Sequence, residues 1–369
     1  MPSAPQNFNR QRILVAPLDW GLGHATRCIP LIHSLLALGH TVFLAGEGAQ
    51  AALLQESFPA LRMLPLPGYH IRYTRKKALL PFKLLLQLPG MLVSISQERR
   101  WLRRIIPEYQ IDLVIADNRY GLYDKRVSSV IITHQLCIQI PWPLLQNLVQ
   151  RWHYRLINRF TACWVPDTPG SKNLGGDLSH PAKLPLIPVR YIGLLSRLVP
   201  VSRSKEFDFL VLLSGPEPQR FLLEQSLRQL FQNESAKVCW VRGLPGINRQ
   251  DDGAGAVVYN HLPPVELAEK IAASKCIICR SGYSSLMDLA RMKAKAVLIP
   301  TPGQTEQTYL AKKLSREGVC LQILQHRLPL STERILQDLP ASHWPEYMFF
   351  SEEILSECLQ LLGSGAVKE

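Results

Sequence analysis

Two stretches of this chain place polar, chemistry-bearing side chains directly after short apolar runs. In the second half, Arg280, Ser281 and Gly282 follow the run Cys276–Cys279, and Ser285 and Asp288 lie one and two turns further on. A second run, Ala296–Ile299, gives way to Gln304, Glu306 and Gln307. A small-residue turn that opens a helix suits a diphosphate, because unpaired backbone N–H groups and the helix dipole both favour negative charge there. A carboxylate two turns in can accept from both hydroxyls of a ribose. The ligand expected at this segment is a nucleotide diphosphate. In the first half, Gly21-Leu22-Gly23-His24 follows the run Ile13–Pro17. The glycines let the backbone turn tightly and approach a ligand. A histidine at a helix amino terminus has its protonated form disfavoured by the dipole, which suits a neutral general base. The same residue could instead do no more than cap the helix. The third glycine of the dinucleotide fingerprint is missing, which speaks against a nicotinamide or flavin.

Further candidates lie at the ends of other apolar runs. Ser214, Gly215 and Arg220 follow Phe207–Leu213, and Asp117 follows Asp112–Ala116. His134 and Gln135 follow Val130–Thr133. Loops at the carboxyl ends of parallel strands are where such sheets bind ligands. An Asp117 on the same rim as His24 could orient it or hold a sugar hydroxyl. For each of these loops an ordinary polar turn is the competing explanation.

The elements that would position these residues read as βαβ units. Short β-rich runs alternate with helical patterns: Ile13–Pro17, the helix Arg27–Leu38, Thr41–Ala45, then Asp112–Ala116, Val130–Thr133 and Ala162–Val165. The alternation restarts with Phe207–Leu213, the helix Phe221–Phe231 and Lys237–Val241, and continues through Val257–Tyr259, Cys276–Cys279 and Ala296–Ile299. This pattern implies parallel sheets. A chain of 369 residues exceeds one ordinary core. The expected fold is α/β, two doubly wound Rossmann-like domains facing across a cleft. The first would span 1–195 and the second 206–345, with a loose linker near 193–206. Residues 346–369 would form a helix (Ser351–Leu362) packing back toward the first domain.

Composition narrows the classes. The chain is 47% hydrophobic and 19% charged, as in globular proteins. Its eight cysteines sit mostly in apolar runs, as buried small residues of a reducing compartment do. Cys276 and Cys279 lack the second pair a zinc site needs. Met1–Arg12 carries no apolar h-region, so no secretory signal is expected. Leu79–Ile95 is broken by Pro81, Lys83, Pro89 and Gly90, too interrupted to span a bilayer. The net charge of +13 lies wholly in the first half: residues 1–200 hold 23 Lys and Arg against 10 Asp and Glu, whereas 201–369 hold 19 of each. Arg72, Arg75, Lys76, Lys77, Lys83, Arg99, Arg100, Arg103 and Arg104 flank or follow apolar residues, and Arg151, Arg155 and Arg159 add a stripe at helical spacing. Cations beside apolar side chains fit an anionic membrane face, and a solvated basic face is the plainer alternative. No nucleic-acid motif accompanies the charge. The sequence has no Asp-x-Asp metal motif, P-loop or Gly-x-Ser-x-Gly elbow.

Together these residues resemble the two-domain GT-B glycosyltransferases, in particular the family of the lipid II-forming UDP-N-acetylglucosaminyltransferase, with a glycosyltransferase family 28-like carboxyl-terminal half. Gly21-Leu22-Gly23-His24 is similar to that family's Gly-rich amino-terminal loop, and His134-Gln135 to its His-Glu-Gln-Asn segment. Arg280-Ser281-Gly282, Asp288 and Gln307 resemble its UDP-binding stretch, with Asp288 in place of a ribose-binding Glu and Thr308 in place of a second glutamine. Gly21, Gly23, His24 and Arg27 also resemble the pattern of the UDP-sugar hydrolase of pseudaminic acid synthesis, where water replaces the acceptor; a GT-B protein that binds a nucleotide sugar without turnover is the third alternative. The resemblance implies sugar transfer from a nucleotide-sugar donor, UDP-linked, which is a substrate, with no cofactor and no metal. His24 would be the base, oriented by Asp117. Gly21, Gly23, Ser214, Gly215, Arg220, Arg280, Ser281, Gly282, Ser285, Asp288, Gln304, Glu306 and Gln307 would hold the donor. His134 and Gln135 would face an anionic or lipid-linked acceptor. A cytoplasmic protein, peripheral on the inner face of the membrane and independent of nucleic acid, is expected.

Overall fold

The structure is a computed structural model and describes residues 10–19, 21–69, 80–139, 143–244, 257–328 and 331–364. Its first half runs β1 (Arg12–Pro17), α1 (Leu22–Ala37), β2 (Thr41–Gly46), α2 (Gly48–Ser57), β3 (Arg62–Pro65) and α3 (Leu80–Tyr109). It continues with β4 (Leu113–Asp117), β5 (Ser128–Ile132), α4 (Pro143–Ile157), β6 (Ala162–Val165) and β7 (Val189–Tyr191). These strands form one parallel sheet in the order β3-β2-β1-β4-β5-β6-β7.

The second half opens with β8 (Phe207–Leu212), α5 (Gln219–Phe231), β9 (Val238–Val241), β10 (Val257–Tyr259), α6 (Pro264–Ala272) and β11 (Ser274–Cys279). After these come α7 (Tyr283–Met292), β12 (Ala296–Leu298), α8 (Thr305–Arg316), β13 (Leu321–Gln322), α9 (Thr332–Asp338) and α10 (Glu352–Ser364). Its parallel sheet has the order β10-β9-β8-β11-β12-β13. Both sheets are doubly wound, and the winding reverses between β1 and β4 in one and between β8 and β11 in the other. Crevices open at such switch points, outside the carboxyl ends of the strands.

Both faces of each sheet are covered, so the strands read as unbroken apolar runs rather than alternating ones. Ile13 and Val15 point into an inner core, while Leu14 and Ala16 pack on Trp101, Leu102, Ile105 and Ile106 of α3. Phe209 and Val211 likewise meet Leu223, Leu227 and Leu230 of α5. The inner core runs without a break from one half to the other. It joins Cys28, Leu31 and Leu35 of α1 to Leu286, Met287 and Leu289 of α7. The apolar spacing of α1, at Ala25, Cys28, Ile29, Ile32 and Leu35, turns one face to that core.

Two local readings of the sequence need correction. Helix α1 begins at Leu22, not at Arg27, with Gly21 as its N-cap at φ 82°. Gly23 reads as a loop residue, but first-turn N–H groups make no intrahelical bonds, so glycine costs little there. The crossing between the sheets is also packed over its first part, while residues 202–206 are exposed and irregular. Leu194, Leu195 and Leu198 are buried, and the Leu195 N–H points at Met287 Sδ at 3.3 Å. Leu194 forms a parallel bridge to Phe349, and α10 then packs on α1.

Candidate active site

The first switch point brings His24, Arg27 and Asp117 together. Pro17 and Asp117 are paired at the carboxyl ends of β1 and β4, and the loop after β1 leads through Gly21 into α1. Gln50 on α2 braces that loop, donating to the Asp19 and Gly21 carbonyls at 2.7 and 3.2 Å. His24 therefore stands in the first turn of α1 with Nδ1 3.1 Å from Asp117 Oδ2. One turn on, Arg27 donates through Nε to Asp117 Oδ2 at 2.7 Å and through Nη2 to Oδ1. Asp117 and Arg27 are 1% and 2% exposed, and His24 is 14% exposed, so the charge pair is buried and the imidazole sits at its surface.

Arg27 orders the neighbouring rings. Its Nη1 lies 3.1 Å from His134 Nδ1. A guanidinium only donates, so Nδ1 of His134 accepts and its proton is on Nε2, 2.8 Å from Glu306 Oε1. Arg27 Nη2 is also 2.9 Å from His24 Nδ1. With Nδ1 unprotonated, His24 accepts from Arg27; with Nδ1–H it donates to Asp117 and leaves the Nε2 lone pair free. Every hydrogen bond the His24 side chain makes among the described residues uses Nδ1.

Burial lowers the His24 pKa, and it outweighs the opposing pull of Asp117, with Arg27 adding to the lowering. The His24–Asp117 contact is thus a hydrogen bond of a neutral imidazole. Burial alone would raise Asp117, but Arg27 and then His24 hold it well below the usual carboxylate range. Burial also opposes ionisation of Glu306, and His134, His24 and Arg27 together hold this carboxyl below its ordinary value.

The sign of the resulting pH dependence is fixed. A histidine whose folded pKa is depressed stays neutral below its ordinary 6.5 and gains a proton only at lower pH. If His24 acts as a base, kcat/KM is expected to hold level through neutrality and to fall on an acid limb whose midpoint lies below pH 6.5. A pH–rate profile checks this, and a midpoint above 6.5 assigns the limb to another group.

The two halves meet at the site. Ser284 Oγ, in the first turn of α7, donates to the Gly23 carbonyl at 2.8 Å. A Cβ on residue 23 would lie 3.0 Å from that oxygen, so glycine permits the close approach. Tyr283 stacks on His134 at 3.9 Å and 11°, and its hydroxyl donates to the Pro166 carbonyl at 3.0 Å. Glu306, in the first turn of α8, spans to His134 and Gln135. Both α7 and α8 start without a side-chain cap, which leaves first-turn N–H groups at the cleft. The second switch point lies beside them, where Leu212 pairs with Cys279 and the Ser214-Gly215 and Arg280–Gly282 loops diverge.

Several donor-side expectations change. Arg280 is 1% exposed and points beneath the loops, donating to the carbonyls of Ile299, Pro300 and Gln219 at 2.8–3.2 Å. Arg220 is tied to Glu217 and Glu224 at 2.6 and 2.8 Å. Both arginines hold backbone and helix ends rather than facing the cleft. Gln307 turns back too: its Oε1 accepts from the Thr301 N–H at 2.8 Å, and its carbonyl accepts from Ser281 Oγ at 2.8 Å. Glu306 faces His134 and Gln135, and these two are correspondingly engaged across the cleft. Gln304 is the N-cap of α8, and Ser285 lies in the first turn of α7. Asp288 accepts from Ser196 Oγ at 2.6 Å, and burial raises its pKa against the pull of Arg197. Arg72, Arg75, Lys76 and Lys77 and the side chain of Lys83 lie outside the described residues.

Two residues were not singled out for the site by sequence. Arg27 belongs to the Gly21–Arg27 motif, yet only the structure shows it under both histidines. Tyr283 is spaced like any first-turn core aromatic, and nothing in the sequence marks its stacking on His134. Among the described residues no three His, Cys, Asp or Glu side chains group in a way that could hold a metal ion.

Two facing doubly wound domains with these switch-point loops define the GT-B fold of glycosyltransferases, and known structures agree. The calicheamicin glycosyltransferase CalG4 superposes with a TM-score of 0.63 at 14% identity, covering 97% of this chain and 95% of its own. UGT89C1 of Arabidopsis thaliana, complexed with UDP-L-rhamnose, gives 0.58 at 13% identity, covering 98% and 96%. MurG of Acinetobacter baumannii gives 0.52 at 15% identity, covering 89% of each chain. Residues 256–342 match the glycosyltransferase family 28 C-terminal domain. No curated protein sequence matches the chain.

Proposed function

We propose that the protein transfers a sugar from a nucleotide-sugar donor, UDP-linked, to a hydroxyl acceptor, with His24 as general base. The observation that carries this is the placement of His24 and Asp117 at one switch point, facing the uncapped amino termini of α7 and α8 beside the other. The described part of the family 28-like domain contains both of those helices.

In the reactive state His24 carries its proton on Nδ1, donated to Asp117, and Nε2 takes the proton of the acceptor hydroxyl as the acceptor oxygen bonds to the sugar carbon. The bond from that carbon to the diphosphate breaks, and the leaving group takes its electrons. Positive charge develops on the sugar and negative charge on the departing diphosphate. The first-turn N–H groups of α7, at Ser284 and Ser285, and of α8 face that charge, and the Ser214-Gly215 loop flanks it. Asp288 takes the ribose hydroxyls, and Glu306 with His134 and Gln135 lines the sugar and acceptor side. No resident cofactor or metal enters this scheme. Arg27 keeps Asp117 ionised, which fixes the orientation of His24.

An anionic or lipid-linked acceptor would be met by the basic first half. Leu148 on α4 is 66% exposed, and Arg151 and Arg155 are exposed on the same helix. Leu92 and Val93 of α3 are 49% and 56% exposed. Apolar side chains beside cations suit a peripheral, cytoplasmic contact with an anionic bilayer. Among the described residues no helix is long and apolar enough to cross one.

The donor assignment is tested by thermal shift with UDP-, GDP- and dTDP-sugars. UDP-sugars are expected to raise Tm most, since a ligand of the native state stabilises it by mass action, about 2.7 kcal/mol at a hundred times its Kd. A larger rise with another nucleotide would reassign the donor, and no rise with any would remove the donor site.

The glycine-histidine motif also fits hydrolysis, with water in place of the acceptor. Arg27 beneath both His24 and His134 favours that second reading, because it belongs to the hydrolase-like pattern. The two reactions differ in whether donor cleavage waits for an acceptor.

A further inference from the structure

We propose that a cavity on the flank of the first domain binds a phosphate-bearing anion at a site separate from the cleft. It measures about 340 Å³ and is lined by Arg99, Arg103, Asp124, Lys125 and Arg126. Arg99 and Arg103 are one turn apart on α3, so they share a face, and the others come from the loop that enters β5. Lys125 and Arg126 precede Ser128, which pairs with Leu113 at the amino ends of the strands, whereas Asp117 pairs with Ile132 at the carboxyl ends. The cavity is thus about 15 Å, a strand length, from His24 and Asp117. It belongs to neither switch point.

Four cations line it against one carboxylate, and that carboxylate is already used. Arg126 holds Asp124 with both prongs, Nε to Oδ1 at 2.8 Å and Nη2 to Oδ2 at 3.1 Å. It also donates to the Arg103 carbonyl at 3.2 Å, which fixes the loop to α3. Arg103 reaches Asp124 only at 3.9 Å, and Lys125 makes no ion pair among the described residues. Arg99 lies over the Tyr123 ring at 4.7 Å, with Arg159 at 5.5 Å from the same ring. Tyr123 is 8% exposed and packs against Phe160, so the platform under Arg99 is rigid. Arg99 Nε is buried without a hydrogen-bond partner among the described residues. A buried donor left unmade costs stability, and an anionic oxygen would satisfy it. Arginine forks match phosphate oxygens in geometry as well as charge, so positioned forks with a lysine beside them select phosphate over a simple halide. The source is either a soluble phosphate compound or the phosphate of a lipid headgroup.

The test uses the full chain with its cleft saturated by UDP, so that the donor site is silent. Inorganic pyrophosphate is titrated by calorimetry, and phosphatidylglycerol vesicles are compared with phosphatidylcholine vesicles by sedimentation. Binding of pyrophosphate identifies a soluble ligand; binding confined to phosphatidylglycerol identifies a headgroup. Either binding is expected to weaken about tenfold or more in the double variant R103E and K125E, whose side chains are exposed, and to strengthen in Asp124→Asn, which removes the competing carboxylate. The strengthening cannot arise from misfolding. The site is refuted if wild type binds neither probe, or if these substitutions leave the affinities unchanged.

Discussion

His24→Ala is expected to lower kcat for sugar transfer about 10³-fold, within the range a positioned general base supplies, while nucleotide binding stays within about twofold of wild type. The separation follows from geometry. His24 sits in the first domain on α1, whereas the Ser214-Gly215 loop and the amino termini of α7 and α8 belong to the second. Removing the imidazole takes away the proton acceptor without touching those N–H groups. Steady-state kinetics with an isothermal UDP titration measures both quantities. A variant that bound UDP normally and still turned over at the wild-type rate would remove His24 from the chemistry. A joint loss of binding and turnover would make it a positioning residue for the donor.

The second large effect is on folding. Asp117→Ala is expected to cost about 3–5 kcal/mol, because it leaves the Arg27 guanidinium buried without its counter-charge. Arg27 is 2% exposed and gives both prongs to Asp117. Two further contacts, to His134 Nδ1 and His24 Nδ1, are to neutral nitrogens and do not replace a carboxylate. Asp117→Asn keeps an acceptor in place and is expected to cost less, yet to lose most activity, since the amide no longer fixes the imidazole. Urea unfolding reads the stability difference through the midpoint at constant m-value. A loss below about 1 kcal/mol for the alanine variant would mean that water or another group solvates Arg27.

How far the sequence carried these conclusions depends on backbone length scales. Strands buried on both faces announce themselves as apolar runs, so β1, β4, β8 and β11 were legible, and with them the four loops of the switch points. His24 and Asp117 were legible because each sits within a few residues of such an end, where the backbone alone sets its position. The side-chain partners of Arg220, Arg280 and Gln307 were not legible, for the opposite reason. Each has a long side chain whose tip can reach several ångströms either way, and spacing along the chain does not say which. The carbonyls of Ile299, Pro300 and Gln219 that claim Arg280 come from two separate loops. Glu306 is a related case: its partners His134 and Gln135 are in the other domain, so the contact exists only once the domains pack. The start of α1 was misplaced because Gly23 looks like a loop residue, although at the second position of a helix it forgoes no hydrogen bond.

The central claim is transfer to an acceptor hydroxyl by a base at His24. It is tested most directly by the rate of UDP release from a UDP-sugar, measured with and without a panel of soluble and polyprenyl-linked hydroxyl acceptors. UDP release that rises with acceptor concentration, with the sugar recovered on the acceptor, is the expected result. Release of free sugar at the same rate with no acceptor present would contradict it and make the protein a hydrolase.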